Sequence, residues 1–566
     1  MPETTHEHHS VKETAISILI AFSMAFIFRG FVVEAFLIPT GSMAPTLLGA
    51  HMEFRDDETG YTWAVGPWHY ASADRPYSIQ APTQLGGRRD GVGHDIRPIN
   101  VGAPMTGRRL ERSNIRTRAG DRIFVFKYLY SIFEPQRFDV IVFKNPTDPK
   151  MNFIKRLVGL PGEQIALVDG DVYWRDPARH TDIAGAPLWS QPGWRIARKP
   201  ERAQREVWQP VFDSRYAPTS PESLFRSPWR GGLGWDTRGR DYRFDGSGAT
   251  TLEWQTRARR TTGATRVVPP HALTWDVNDF YPYNEIGSSP GPRLLFPVSD
   301  VAMGFGIEPD AVGMTISAVL VAERHELRAD IGPDRVVLRM RPASDPSAPD
   351  QPGWTILADE PLARTINPGR VTNVEFWHVD QSLQVWIDGR RVAAGYYDWS
   401  PAERIENAMG ATLEQIILRD NAGRNAYLTN GANYIRPSLR WEFDSPGPFT
   451  LHRVSLARDV YYQAIRYPGA RHSRRGDPGA ATHPEINTVH LDADQFFVCG
   501  DNSPSSADGR LWDKPDPWIA ELIDPEIGIV NRKLLIGKAF FVYFPAAHRL
   551  MNRSIIPDFG SMRFIW

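Results

Sequence analysis

RFDVIVFKNP at 137–146 and NFIKRLVGLPGE at 152–163 are dense in β-branched and aromatic residues and carry turn formers at their ends. They read as strands over Asp139–Phe143 and Asn152–Val158. On the second, the two-residue period sets Phe153, Lys155 and Leu157 on one face and Ile154, Arg156 and Val158 on the other. One of the two cations therefore shares a face with apolar residues, where lost hydration lowers an amine's pKa. Outward from this pair, Arg122–Phe126, Gln164–Val168 and Asp171–Trp174 also read as strands, the last two joined by a hairpin signal at Asp169-Gly170. Gln495–Cys499 and Lys538–Phe544 resume the pattern near the end of the chain, and the fold class is mainly β.

At 566 residues the chain is too long for one core and implies roughly three to four domains, one of which interrupts another. With 65 basic against 66 acidic residues it has no nucleic-acid footprint. Cys499 is the single cysteine, so an intramolecular disulfide and every Cys-rich metal site are excluded. The uncharged run Ala15–Phe28 extends to Thr14–Val33 if Lys12 and Arg29 snorkel, which is long enough to cross a bilayer. A cleavable signal peptide is the rival, but the preceding tail is not clearly basic and no convincing small-x-small site follows. Residues 14–33 are therefore expected to be an uncleaved transmembrane helix after a short tail, 1–13.

Ser42 stands in PTGSMAPTL, where Gly41 frees the backbone to turn and Pro45 fits the first turn of a following helix. An active-site serine needs a neighbouring base and donors for an oxyanion. Lys155, on its partly apolar strand face, is the candidate base. A third cluster, GDNSPSSADGR at 500–510, follows the strand QFFVC and is dense in hydrogen-bonding groups. Its plain reading is a surface turn held by Asx bonds. Its functional reading has Ser506 hydrogen-bonding the lysine while Asp508 and Arg510 pair to stiffen the loop.

Taken in order, IPTGSMAPTLL (38–48), GDRIFVFKYLY (120–130), RFDVIVFKNP, FIKRLVGLPGE, FFVCGDNSPSSADGR (496–510) and LIGKAFFVYFP (535–545) resemble the type I signal peptidase family. That resemblance implies a serine endopeptidase fixed in the inner membrane by one pass, its catalytic part outside the cytoplasm. It implies Ser42 as nucleophile, Lys155 as general base, Ser506 as the serine orienting the lysine, and an oxyanion hole from the Ser42 N–H and the Thr40 hydroxyl. Gly500, Asp508 and Arg510 match structural positions of the last motif, and Phe36 and Ile38 match the walls of the small-residue pockets. Substrates are then preproteins with small residues before the cut, with the lipid bilayer as the other partner and no cofactor or metal.

Two insertions depart from the family. Residues 50–118 have no sustained period and read as irregular; GAHMEFRDDETGYTW at 49–63 looks like a zinc-ribbon segment without its cysteines. The catalytic core is accordingly expected over 34–175 and 485–566, with 195–465 as an inserted sandwich similar to laminin-G and concanavalin-like jelly rolls. In that insert EFWHVDQSLQVWIDGRRVAAG (375–395) alternates on both sides of Asp388-Gly389. Trp377 and Trp386 are read as core aromatics ahead of sugar-stacking platforms, and Asp380 and Asp388 as turn residues ahead of calcium ligands. A catalytically retired homologue whose sandwich binds glycan or protein is the alternative; a self-cleaving serine-lysine protease is disfavoured by the anchor and by the lack of a DNA-binding segment.

Overall fold

The computed structural model describes residues 11–67, 84–85, 99–112, 115–220, 223, 225–256, 275–285, 295–344, 352–363, 365–422, 427–463, 489–512, 514–546, 548–550, 554–556 and 558–566. The tail 1–13 lies outside these up to residue 10.

The two deciding strands run as Val140–Asn145 and Asp148–Gly159 and pair antiparallel, with Lys155 opposite Ile141 and Arg156 opposite Val140. They sit inside a mixed-order antiparallel sheet: Val33–Leu37, Arg122–Lys127, Leu535–Phe544, Val140–Asn145, Asp148–Gly159, Gln495–Cys499, Val530–Asn531. Segments from both ends of the chain therefore share one sheet. Its two faces are apolar: Phe143, Leu157, Phe496 and Trp512 pack on one, and Val140, Val142, Ile154 and Val125 on the other. A sheet buried on both faces removes water from every side chain at its centre, polar ones included.

The hairpin Gln164–Val168/Asp171–Arg175 forms as the Asp-Gly signal predicts, with Asp169 and Gly170 both at positive φ. It belongs to a separate small sheet with Val489–His490 and Arg195–Ile196.

The long insert folds as two antiparallel sheets, one centred on Phe449–Arg458, Val301–Pro309 and Thr372–Val379, the other on Ser438–Ser445, Thr315–Ala322 and His325–Ile331. Inward residues interleave between them; Phe305 of one sheet meets Trp441 of the other edge-on at 4.6 Å between ring centres. The stretch around 195–290, where no period is legible, contributes Gln209–Asp213, Trp229–Gly231, Tyr242–Phe244 and Gly248–Trp254 to the two sheets.

Residues 50–118 depart from expectation. Over the described residues they hold the strands His51–Arg55, Thr62–Val65, Ile99–Gly102, Arg109–Arg112 and Ile115–Arg118, closed over a core of Met52, Phe54, Trp63, Val65, Ile99 and Val101. With the two-residue Gln84–Leu85 that pairs with Ile115–Arg118, none of these strands exceeds five residues, too short for a repeating pattern to emerge, and the apolar partners come from segments far apart in sequence.

The N-terminal helix spans Val11–Phe31, and the chain leaves it directly into Val33–Leu37. Ile16, Leu19, Ile20, Phe22 and Met24 on it are exposed. Over the described residues no helix is long and apolar enough to cross a membrane.

The sandwich is joined to the rest through a buried charge cluster. Arg404, on the helix Pro401–Met409, reaches Asp169 at 3.0 Å and Asp171 at 3.3 Å on the hairpin, and Asp300 at 3.5 Å and Glu323 at 2.8 Å on the sandwich. Burial raises Asp169 to about 7 against the pull of Arg404, and raises Asp171 well above the usual carboxylate range. A carboxyl held above its unfolded pKa stabilises the fold at low pH, and that contribution is lost as pH rises through the folded value. Arg404→Met, which leaves these carboxyls without their shared cation, should cost about 3–5 kcal/mol in urea unfolding at pH 7. The loss should deepen as pH is raised through 7 and shrink at pH 5.

Candidate active site

Ser42 sits in the three-residue 3-10 turn Gly41–Met43, which the chain enters in extended backbone at Thr40 (φ −119°, ψ 158°). Ala44 has φ −66° and ψ 142°, because a residue preceding proline is forced out of the α region. The turn therefore stops before Pro45, and the helix that Pro45 was expected to open does not form. Thr40 is exposed, whereas Ser42 is buried.

Lys155 is 3 % exposed. Its Nζ lies 2.7 Å from Ser42 Oγ and donates a second bond to Ile154 O at 3.0 Å. Among the described residues no carboxylate lies within ion-pair distance of it. Burial, the largest influence, brings this amine from 10.5 down to about 8, against the pull of Asp508 and Asp501. The neighbouring Arg156 has the opposite fate. Also fully buried, it is held by Asp501 through two bonds of 2.8 Å and donates to Phe138 O at 2.9 Å and Trp566 O at 2.8 Å. Burial disfavours this cation, but Asp501 overrides that and raises its pKa. Asp501 also accepts from Thr46 Oγ1 at 2.5 Å, tying the strand of the lysine to the turn of the serine.

The loop after Gln495–Cys499 closes the site. Asn502 N–H donates to Ser42 O at 3.0 Å and Asn502 Nδ2 to Gly41 O at 2.9 Å, so one residue holds two successive carbonyls of the serine turn. Asp508 and Arg510 pair as the sequence suggests, through bonds of 2.9 and 2.8 Å, and Asp508 accepts from Gly500 N–H at 2.8 Å. Burial disfavours the Asp508 carboxylate, but Arg510 outweighs it and holds the group below the ordinary range. A Cβ on Gly500 would lie 2.2 Å from Ser506 Oγ and 2.4 Å from Ser42 O, so only glycine fits between the two serines. Ser506 is fully buried there, but the hydrogen bond expected from it to the lysine is not formed: the amine is turned toward Ser42 and Ile154.

Of the pocket residues, Ile38 is buried against Met43 and Leu47. Phe36 packs against the same cluster and also lines a cleft of about 860 Å³ together with Glu34, Tyr130, Lys144, Asn152 and Ile536. Asp501, Asn502, Arg156 and Thr46 are the site residues that motif reading passed over. All four lie inside the quoted motifs, and the signal that could have found them is a second buried cation beside Lys155 requiring a carboxylate.

In the insert, Trp377 and Trp386 are 2 % exposed. They lie on the outer face of their sheet rather than between the sheets, packed with Trp208 and beneath Arg205, whose guanidinium is 4.6 Å from each ring. They are neither part of the main sandwich core nor free to stack on a sugar. Asp388 sits at the turn as expected, accepting from Asn373 N–H at 3.0 Å. Asp380 also sits in a turn, but its carboxylate is engaged by Lys199.

The signal peptidase family, peptidase S26, matches residues 110–186 and 419–544. Signal peptidase I of Rickettsia typhi is 26% identical over 174 residues, 31% of this chain and 47% of that protein. Signal peptidase I of Rickettsia canadensis is 42% identical over 64 residues, 11% of this chain and 24% of that protein. The chain thus aligns with about half or less of the length of these curated relatives. Among solved structures, a carbohydrate binding module from Bacillus subtilis covers 41% of the chain at 8% identity with a TM-score of 0.20, too slight a likeness to argue from.

The lysine can be tested without any substrate. With ¹⁵N-labelled lysines, one side-chain amine should titrate near pH 8, and that resonance should vanish in Lys155→Met. A chain whose lysines all titrate above pH 10 would contradict the geometry.

Proposed function

We propose that this chain, a type I signal peptidase carrying an inserted region, cleaves signal peptides from preproteins with Ser42 as nucleophile and Lys155 as general base. The observation that carries the reading is the 2.7 Å contact between Lys155 Nζ and Ser42 Oγ in a site that keeps the amine from ordinary hydration. A neutral amine at that distance accepts the hydroxyl proton as Ser42 Oγ attacks the scissile carbonyl. The tetrahedral oxyanion is received by the Ser42 N–H and the Thr40 hydroxyl, whose exposure leaves it available to substrate. The protonated lysine then gives its proton to the departing amine, leaving an acyl-serine. Water attacks this ester with Lys155 again taking the proton, and Ser42 is regenerated.

Asp508–Arg510 and Asp501–Arg156 act as the rigid frame of this pair, and Ser506 fills the space beneath the serine turn. Phe36 and Ile38 are proposed as walls for the small residues preceding the cut. The helix Val11–Phe31 is the proposed membrane anchor. No helix among the described residues is by itself long and apolar enough to cross a membrane, so the proposal rests on the wider apolar run Thr14–Val33 with Arg29 snorkelling, on the exposed apolar side chains of the helix, and on its ending one residue before the strand leading to Ser42. The catalytic part then works at the outer surface of the inner membrane, where cleavage sites emerge. A glycan ligand for the sandwich has no support in the two buried tryptophans.

Ser42→Ala should abolish cleavage of a preprotein with an Ala-x-Ala site, as should Lys155→Ala; undiminished processing by either would refute the assignment. Cleavage by the wild type should rise with pH as the amine loses its proton, with a midpoint about 8. Thr40→Val, which removes the hydroxyl and keeps the shape, should lower kcat about 10²–10³-fold, the usual loss for one oxyanion donor.

A further inference from the structure

The turn carrying Ser42 is held from behind by a segment of the insert. Residues 275–285 include the 3-10 turn Pro282–Asn284, which touches Gly41 of the serine turn and Asn502 of the catalytic loop. Asn284 and Asn502 face each other as a reciprocal amide pair: Asn284 Nδ2 donates to Asn502 Oδ1 at 2.7 Å and Asn502 Nδ2 donates to Asn284 Oδ1 at 2.9 Å. Both are buried. The second hydrogen of Asn502 Nδ2 goes to Gly41 O. An unconstrained asparagine could rotate its amide by half a turn and set its oxygen against that carbonyl. Gly41 O selects the orientation with nitrogen toward it, and Asn284 satisfies both ends of the Asn502 amide in that orientation, with an acceptor for its nitrogen and a donor for its oxygen.

Tyr283 acts on the same glycine, Gly41, by shape. Its ring fills the space a side chain at Gly41 would need, a Cβ there lying 2.0 Å from Tyr283 Cε1. Its hydroxyl donates to Ala50 O at 2.9 Å, and its own carbonyl accepts from Gly66 N–H at 2.7 Å. The segment is in turn fixed to the sandwich: Arg458, on the strand Phe449–Arg458, donates to Asp279 O and Phe280 O, both at 3.0 Å. Gln463, just beyond that strand, donates from its side-chain amide to the Asp279 carboxylate and from its backbone N–H to Ser503 Oγ at 2.9 Å.

We infer that the insert completes the active site, with Tyr283 and Asn284 as positioning residues that hold Gly41 and Asn502, and through them the Ser42 turn, in register with Lys155. The inference rests on the serine-lysine reading for its catalytic consequence and on the amide pair alone for its structural one. A turn that loses these holds lets Ser42 Oγ and N–H wander by fractions of an ångström, and misplacement on that scale lowers turnover rather than binding.

Full-length wild type, Asn284→Ala and Asn284→Asp in detergent should be compared on a preprotein with an Ala-x-Ala site. Asn284→Ala should lose about 10- to 100-fold in kcat with KM within about twofold. Asn284→Asp keeps the shape and recovers the missing donor only when its carboxyl is protonated, so its kcat relative to wild type should climb as pH falls. In parallel, hydrogen exchange in Asn284→Ala should quicken in peptides covering 41–48 and 500–506 and stay unchanged over 315–331. Unaltered kcat in an active enzyme, unaltered exchange at both sites, or acceleration over 315–331 as well would overturn the inference. A wild type that cleaves nothing would sink the peptidase reading instead, and the exchange pattern would still decide this one.

Discussion

The site depends on one unpaired cation. Lys155 and Arg156 are neighbours on a strand buried on both faces, and a charge carried into such a place must be matched or given up. Arg156 is matched by Asp501. Among the described residues Lys155 hydrogen-bonds a hydroxyl and a carbonyl and no carboxylate, and burial brings it down to about 8. The same burial thus yields a structural ion pair at one position and a candidate base at the next, and the difference is that the two nearby carboxylates, Asp501 and Asp508, are engaged by Arg156 and Arg510.

That arrangement requires pieces remote in sequence to stay registered to within a few tenths of an ångström. The serine comes from a turn after the first strand, the lysine from the middle of the sheet, and the loop that grips the turn from near the end of the chain. Asp501 joins all three through Thr46 and Arg156, and Asn502 fixes the carbonyls of Gly41 and Ser42. The long insert does not loosen this closure. Arg404 ties the sandwich to the hairpin, Arg458 ties it to the segment 275–285, Gln463 ties it to the catalytic loop, and the loop ends are thereby held at fixed separation however long the intervening chain.

The charge cluster at the sandwich junction follows the same rule as the site. Asp169, Asp171, Asp300 and Glu323 crowd around Arg404, so several acids share too few cations and burial pushes two of them toward the neutral form. Such a junction favours one docking geometry, because Arg404 reaches all four acids only in that pose.

From residue order alone, the central strands, the alternation that separates Lys155 from Arg156, the Asp169-Gly170 hairpin and the candidacy of Ser42 and Lys155, which the fold brings within 2.7 Å, were legible, since each is carried by local periodicity or a contiguous motif. The sheets within 50–118 were not, because strands of four or five residues leave no period. Nor were the outward placement of Trp377 and Trp386, the failure of Ser506 to reach the lysine, and the grip of Tyr283 and Asn284 on the Ser42 turn. Those depend on which buried polar group finds which partner across hundreds of residues, and only the folded chain brings such groups within hydrogen-bonding distance.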